Sequence, residues 1–166
     1  MILDILEYPD PRLRTLAKPV DEVTDETRKL IDDMFETMQE YEGIGLAAPQ
    51  VHHSIRLFVA GVDDSDSSFS PIVMVNPEIE VIGRDVGEDW EGCLSIPDVR
   101  GKVPRSQDIR VRSLDRHGQP QQMTASGSVS YTHLRAHATL RYRGCRRRRA
   151  KKPGGAGGGG GGGGGG

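Results

Sequence analysis

The feature that most limits the fold of this chain is a change in composition at about Gly127. All 24 acidic residues precede this point, whereas residues 128–166 contain nine basic residues and no acidic one. Glycine fills 12 of the last 13 positions, where no side chains are available to pack. We therefore predict one folded domain over residues 1–127. Residues 128–166 form a basic, then polyglycine tail, which we interpret as disordered or as the translation of DNA foreign to a truncated gene.

Several classes of protein are excluded by the remaining sequence. Residues 1–127 suffice for one hydrophobic core but not for two domains. No apolar run approaches the roughly 20 residues of a membrane-spanning helix, and Asp4 interrupts the place where a signal peptide would have its basic and apolar residues. We therefore expect a cytoplasmic protein without a membrane partner. Cys93 and Cys145 are too few for a disulfide framework, so each is a small buried residue or a reactive or metal-binding thiol.

One segment has clear helical periodicity. It follows Thr24, which can serve as N-cap, and it carries acidic residues in its first turn. Gly43 is well placed to end this helix, because glycine readily adopts the left-handed conformation found just beyond a C-cap. The apolar residues that form one face of the predicted helix are Leu30, Ile31, Met34, Phe35, Met38 and Tyr41.

Beyond this helix the pattern changes to short apolar or alternating runs, which predict strands. The polar segment Asp63–Ser70 is predicted to be a loop, and the sequence Asp115–Gly118 is typical of a turn. One helix followed by short, mostly antiparallel strands indicates an α+β fold with small sheets packed on the helix. The predicted strands are Ile55–Ala60, Ile72–Val75, Ile79–Ile82, Trp90–Leu94, Ile109–Val111 and Gln121–Thr124.

The first candidate motif extends from Gly43 to Gln50 and has the sequence GIGLAAPQ. It satisfies the dinucleotide-binding pattern G-x-G-x-x-A, but that pattern has to follow a strand and open a helix. Here it follows a predicted helix and contains Pro49, so we reject the Rossmann interpretation. Two alternatives remain. The segment is a helix end with a tight turn, or it is a loop of small residues that a ligand can approach closely, with the Gln50 amide as hydrogen-bond donor.

The second candidate motif, EGCLSIP, covers residues 91–97 and places Cys93 at the end of a predicted strand. A cysteine in this position could be a nucleophile or a metal thiolate. A cysteine in an apolar strand is also a common core residue. The nucleophile hypothesis needs a partner histidine, and no spacing ties His52, His53 or His117 to Cys93.

Together and in this order, the two motifs resemble the first two signature motifs of the peptide deformylases. These metallohydrolases remove the formyl group from the initiator methionine of new bacterial polypeptides. The segments Ile5–Arg14 and Arg100–Arg105 are also similar to that family, so the resemblance covers residues 1 to about 127. It implies a cytoplasmic hydrolase of protein biosynthesis, with N-formyl-methionyl peptides and nascent chains at the ribosome as partners.

The resemblance also implies catalytic roles for individual residues. Cys93 matches the thiolate ligand of a divalent metal, which in the family is usually ferrous iron, with zinc, nickel or cobalt also found. The side chain of Gln50 and the backbone N–H of Leu94 match the two donors that stabilise the oxyanion. Formamide hydrolysis needs such donors and a strong nucleophile at neutral pH.

Three further positions match the family's substrate-binding residues. The backbone groups of Ile44 and Gly45 correspond to positions that hold the peptide in an extended conformation. Arg100 corresponds to a position that lines the substrate groove.

The third motif of the family is H-E-x-x-H, in which two histidines bind the metal and the glutamate is the general base. This sequence departs from it: His133 and His137 have the right spacing, but Leu134 stands where the glutamate belongs. In one interpretation the two histidines join Cys93 in a metal site that lacks its base, which lowers the rate by about 100-fold to 10,000-fold. In the other they bind nothing, because the surrounding segment has no apolar stripe for docking onto a sheet. Either way we expect this copy to be impaired or inactive.

Two alternatives to a deformylase remain. The chain could be a non-catalytic binder of formyl-peptides or nascent chains, with the basic tail Arg146–Lys152 contacting ribosomal RNA or another polyanion. Such binding would depend steeply on salt, and the tail is the only part for which we expect a nucleic acid partner. A metal-free Cys93 thiol hydrolase is the third hypothesis. It predicts that alkylation abolishes activity and that a chelator does not.

Overall fold

The computed structural model describes residues 1–63 and 69–127. They form one α-helix, α1 (Asp25–Glu40), two short 3-10 helices (Pro11–Arg14 and Ala48–Val51) and five strands. The strands form a single sheet in which each pairs antiparallel with the next one along the chain. The predicted α+β class is confirmed. The strands are β1 (Gly45–Ala47), β2 (Leu57–Asp63), β3 (Phe69–Cys93), β4 (Ile96–Leu114) and β5 (Pro120–Ser126).

The strands are longer than the sequence pattern predicts. The three predicted strands between residues 72 and 94 merge into β3, which has 25 residues and ends at Cys93, one residue before the predicted end. The pairing of β3 with β4 shifts its register at three points, and residues with positive φ, Asn76 (51°) and Gly83 (77°), lie at two of them. Bulges of this kind interrupt the alternation of apolar and polar residues without ending the strand. The prediction of separate strands was wrong for this reason.

Helix α1 begins as its sequence predicts. The Thr24 hydroxyl oxygen accepts a hydrogen bond from the Thr27 backbone N–H at 3.3 Å. Such a cap satisfies one of the amide groups that the first turn leaves without a partner. Of the six apolar residues predicted to form one face, Leu30, Ile31, Met34 and Met38 are buried. Phe35 is half-buried and packs against the same cluster, whereas Tyr41 is exposed.

The end of α1 differs from the prediction. Glu42, not Gly43, has the left-handed conformation, with φ 51°. The N–H of Glu42 bonds to the Gln39 carbonyl and that of Gly43 to the Met38 carbonyl, at 3.0 and 2.8 Å. This pair of bonds is the Schellman arrangement, in which the residue just after the C-cap is left-handed. Gly43 lies one residue after the left-handed position, so its lack of a side chain is not needed for the end of the helix.

The sheet is buried on both faces around β2. Side chains of a strand alternate between the two faces. Leu57 and Val59 therefore pack with Val75 and the buried face of α1. Phe58 and Ala60 face the opposite side, where they join Met74, Ile109, Val111 and Ala125. Within residues 1–63 and 69–127 no helix is long and apolar enough to cross a membrane.

The predicted turn at Asp115–Gly118 is confirmed and joins β4 to β5. The Gly118 N–H bonds to the Asp115 carbonyl at 3.1 Å, and Gly118 has φ 78°. The Asp115 carboxylate accepts the backbone N–H groups of Gln119 and His117 at 2.9 and 2.7 Å. Those hydrogen bonds, first of all that from Gln119, lower the pKa of Asp115. Hydrogen bonds to a carboxylate favour its charged form.

This turn makes the stability depend on pH. Because the folded pKa of Asp115 is depressed, its contribution is present above the unfolded value of 3.8 and is lost as the pH falls through the folded pKa. We expect Asp115→Asn to lower the free energy of unfolding at pH 7 and to leave that free energy nearly unchanged at the most acidic pH. Urea unfolding at a series of pH values measures both. A constant difference between the two proteins across this range would contradict the assignment.

Candidate active site

Gln50 lies in the 3-10 helix Ala48–Val51 and is buried, with 6% of its surface exposed. Its side-chain oxygen, Oε1, accepts the backbone N–H of Ala47 at 3.0 Å. Its nitrogen, Nε2, donates to the Ser95 hydroxyl at 3.1 Å and lies 3.8 Å from the Cys93 sulfur. The two motifs, separated by 43 residues in sequence, thus meet through this one amide.

The second motif forms the tight connection between the two longest strands. Cys93 is the last residue of β3 and pairs with Ile96, the first residue of β4. Leu94 and Ser95 form the turn between them. Cys93 and Leu94 are half-buried, and Ser95 is 3% exposed. The strand-end position predicted for Cys93 is confirmed.

Gly43 lies against this turn, and a side chain at position 43 would displace the side chain of Leu94. A Cβ atom built on Gly43 would be 2.9 Å from Cδ1 of Leu94 and 3.5 Å from Cγ of Met38. The first distance is shorter than carbon atoms tolerate. Glycine therefore allows the end of α1 and the turn after Cys93 to approach closely. The small size of Gly43 favours this packing.

At the start of β1, the backbone hydrogen-bonding groups of Ile44 and Gly45 point to opposite sides of the strand. The carbonyl oxygen of Ile44 accepts the N–H of Gly61 at 3.1 Å, so it faces β2. Hydrogen-bonding groups of successive residues in a strand point to opposite sides. The N–H and C=O of Gly45 therefore face the outer edge of β1, which is the first strand of the sheet. This is the side on which the Ala47 N–H meets Gln50.

Arg100 and Gly92 are paired on β4 and β3. The Arg100 side chain is exposed and passes over Gly92, where a built Cβ would lie 3.7 Å from Arg100 Cγ. Arg100 therefore pairs with the residue that precedes Cys93, and a shift in register separates this pair from the pair of Cys93 with Ile96.

Two features of the site have no counterpart in the sequence analysis. One is Ser95. The other is a bidentate ion pair in which Arg105 Nε and Nη2 donate to the two carboxylate oxygens of Glu91 at 3.0 and 3.1 Å. Such pairs are among the stronger side-chain hydrogen bonds and fix orientation. Both partners are largely buried, so the pair anchors the strand end that carries Cys93. The ion pair cannot be recognised in the sequence, because Glu91 and Arg105 are 14 residues apart and meet only through the pairing of β3 with β4.

Among residues 1–63 and 69–127 there is no group of three histidine, cysteine or acidic side chains that could hold a metal ion. Protein metal sites of this kind use three or four protein ligands. Cys93 is a single ligand, and by itself it does not fit a divalent metal. His133 and His137 lie outside the described residues.

Comparison with known proteins gives a consistent result. The sequence profile described as polypeptide deformylase matches residues 2–138. The peptide deformylases of Pseudomonas aeruginosa and Azotobacter vinelandii are each 52% identical over 129 residues, which is 78% of this chain and 76% of each relative. Among solved structures, the Ehrlichia chaffeensis peptide deformylase has a TM-score of 0.81 at 32% identity and covers 86% of this chain and 84% of that one. For the Legionella pneumophila peptide deformylase the TM-score is 0.79 at 39% identity, with 86% and 82% covered.

Proposed function

The chain belongs to the polypeptide deformylase family, and we propose that Gln50, Cys93 and Leu94 form its site for the formyl group. Members of the family are hydrolases that remove the N-formyl group from the initiator methionine of nascent polypeptides. The observation that carries the proposal is the contact between the two motifs, with Gln50 Nε2 3.1 Å from Ser95 Oγ and 3.8 Å from Cys93 Sγ. We propose the cytoplasm as its compartment and nascent chains at the ribosome as its substrates.

The chemistry assigns a task to each group. Attack of water on the formyl carbonyl places negative charge on its oxygen, and the products are formate and the free amine. Donors that already point at this oxygen stabilise the charge without rearrangement. In our proposal these donors are Gln50 Nε2–H and the backbone N–H of Leu94, while the outward-facing backbone of Gly45, with Ile44 beside it, aligns the peptide. The exposed side chain of Arg100 lines the groove further along.

The family depends on a divalent metal. We propose Cys93 as the thiolate ligand and ferrous iron as the ion, with zinc, nickel and cobalt as the alternatives. Because Cys93 is the only such ligand that the described residues bring to this site, we derive no step through a metal. The remaining ligands would have to be His133 and His137.

We further propose that this copy turns over slowly or not at all. Its sequence contains no H-E-x-x-H, and Leu134 occupies the place of the general base. Losing a positioned base lowers the rate by about 100-fold to 10,000-fold.

Formate release from formyl-Met-Ala-Ser in the presence of added ferrous or zinc ion tests the assignment. We expect a slow release that Cys93→Ala abolishes, because this substitution removes the proposed ligand. Cys145→Ala is the matched control and should release formate like the unaltered chain. A Cys93→Ala variant that folds and retains the full rate would contradict the role of Cys93.

The absence of the third motif favours one alternative function, a binder of formyl-peptides that does not hydrolyse them. The basic tail would then hold RNA or another polyanion. Retention on an RNA column that falls steeply with salt, together with no release of formate, would favour this alternative over the enzyme.

A further inference from the structure

The Gln50 amide is oriented by groups at both of its ends. An amide oxygen only accepts hydrogen bonds and the NH2 group only donates them. The neighbour of Oε1 is the Ala47 backbone N–H, which can only donate, at 3.0 Å. This donor fixes which end of the amide faces β1, so Nε2 must face Ser95 and Cys93.

The Ser95 hydroxyl then fixes the directions of the two N–H bonds of Nε2. One of them points to Ser95 Oγ at 3.1 Å, within ordinary hydrogen-bond distance. Because the amide is planar, engaging this hydrogen fixes the direction of the other one. The other N–H points to Cys93 Sγ at 3.8 Å, a contact to a weak acceptor, and it therefore lies on the side where we propose that the formyl oxygen is held.

Ser95 is itself held in place. It is 3% exposed, and its carbonyl oxygen accepts the N–H of Tyr8 at 2.8 Å. The carbonyl oxygen of Gln50 accepts the N–H of Leu6 at 2.7 Å. The same stretch of the N-terminal segment therefore bonds to both loops, which fixes the separation of the Gln50 and Ser95 backbones. A hydroxyl on such a braced turn is a rigid acceptor for the Gln50 amide.

From this geometry we infer that Ser95 is a positioning residue for deformylation, acting by holding the Gln50 amide with one N–H directed at the formyl oxygen. The inference rests on the proposed function of Gln50. It assigns no contact between Ser95 and the substrate.

The chain offers a matched control for this role. Ser113 on β4 is also buried, and its hydroxyl accepts a hydrogen bond from Gln121 Nε2 at the same distance of 3.1 Å. Ser113→Ala thus removes an equivalent bond far along the sequence from the site. Ser95→Ala removes the proposed positioning bond, and Ser95→Thr keeps the hydroxyl.

The first measurement does not need activity. In 1H–15N NMR spectra of the full chain, the Gln50 NH2 signals are those that Gln50→Leu removes. We expect Ser95→Ala to shift them and to speed their exchange with water, Ser95→Thr to restore them, and Ser113→Ala to leave them unchanged. Gln50 signals that are the same with and without the Ser95 hydroxyl would overturn the inference, as would an equal change in Ser113→Ala.

The second measurement separates this inference from the proposed function. With added divalent metal, Ser95→Ala should lower kcat for formyl-Met-Ala-Ser by about 10- to 100-fold with little change in KM, because the lost interaction acts in the transition state. Ser95→Thr should recover most of the rate. If the unaltered chain releases no formate, it is the inactive copy proposed above, and the NMR result alone then decides the positioning role. A Ser95→Ala variant with shifted Gln50 signals and full kcat would overturn the catalytic part of the inference.

Discussion

Replacing Gln50 with leucine is expected to lower formate release from formyl-Met-Ala-Ser by about 100- to 1000-fold, the usual effect of losing one oxyanion donor. Leucine is close to glutamine in size, so the buried site stays filled, but it cannot donate a hydrogen bond. The effect should appear in kcat more than in KM, because the donor acts on charge that develops in the transition state. Steady-state kinetics with added divalent metal measures it.

The loss of rate in Gln50→Leu needs a control variant and a correction for the folded fraction. Gln39→Leu changes the same residue type at an exposed position of α1 and should leave the rate unchanged. Gln50→Leu also leaves the Ala47 N–H without its acceptor, a loss that costs about 1–3 kcal/mol of stability when the group is buried. Rates should therefore be compared per folded molecule, from the thermal unfolding curve of each variant. A folded Gln50→Leu protein with an undiminished rate would remove Gln50 from the site.

The largest expected effect on stability comes from Phe58→Ala. Phe58 is fully buried in β2, between Ala47 of β1 and Met74 of β3, on the face of the sheet opposite α1. Truncating a buried phenylalanine typically costs about 3–5 kcal/mol, because the transfer free energy is lost and a cavity is left. Natural domains are stable by about 5–15 kcal/mol, so this variant should lie close to unfolding.

Urea unfolding of the full chain measures the change in free energy. Tyr41→Ala at the exposed end of α1 is the control and should change stability by no more than about 0.5 kcal/mol. We expect the unaltered chain to be only marginally stable, since residues 128–166 have no apolar stripe with which to cover a sheet face. A Phe58→Ala protein that unfolds at the same urea concentration as the unaltered chain would contradict the packing described for this face.

The local signals in the sequence predicted local structure well. The cap at Thr24, the apolar spacing from Leu30 to Met38 and the turn at Asp115 each depend on residues within a few positions of one another. Gly43 shows the limit of this reasoning. A glycine after a helix predicts a left-handed backbone, but here the small size of Gly43 matters because Leu94, which is distant in sequence, packs against it.

The site was predictable only in part for the same reason. The two motifs could be recognised by resemblance, and their order and residue types indicated Gln50 and Cys93. Ser95 and the Glu91–Arg105 pair became visible only once the β3–β4 pairing and the approach of the Gln50 loop were known. β1 was also missed, because three residues at the edge of a sheet are too few to show alternation.

The hydrogen bonds from Leu6 and Tyr8 to the Gln50 and Ser95 carbonyls bear on the order in which the molecule can assemble. The β3–β4 hairpin can pair outward from its tight turn at Leu94 and Ser95, so each new pair closes only a small additional loop. The two bonds from Leu6 and Tyr8 instead join segments that are far apart in the sequence, and the entropic cost of closing those loops comes before the contacts form. A partly folded chain that holds only the helix and the hairpin would have the turn that carries Cys93 and Ser95 in place, but it would not have the Gln50 amide beside that turn. The geometry proposed for the site therefore depends on contacts between distant parts of the chain and not on the hairpin alone.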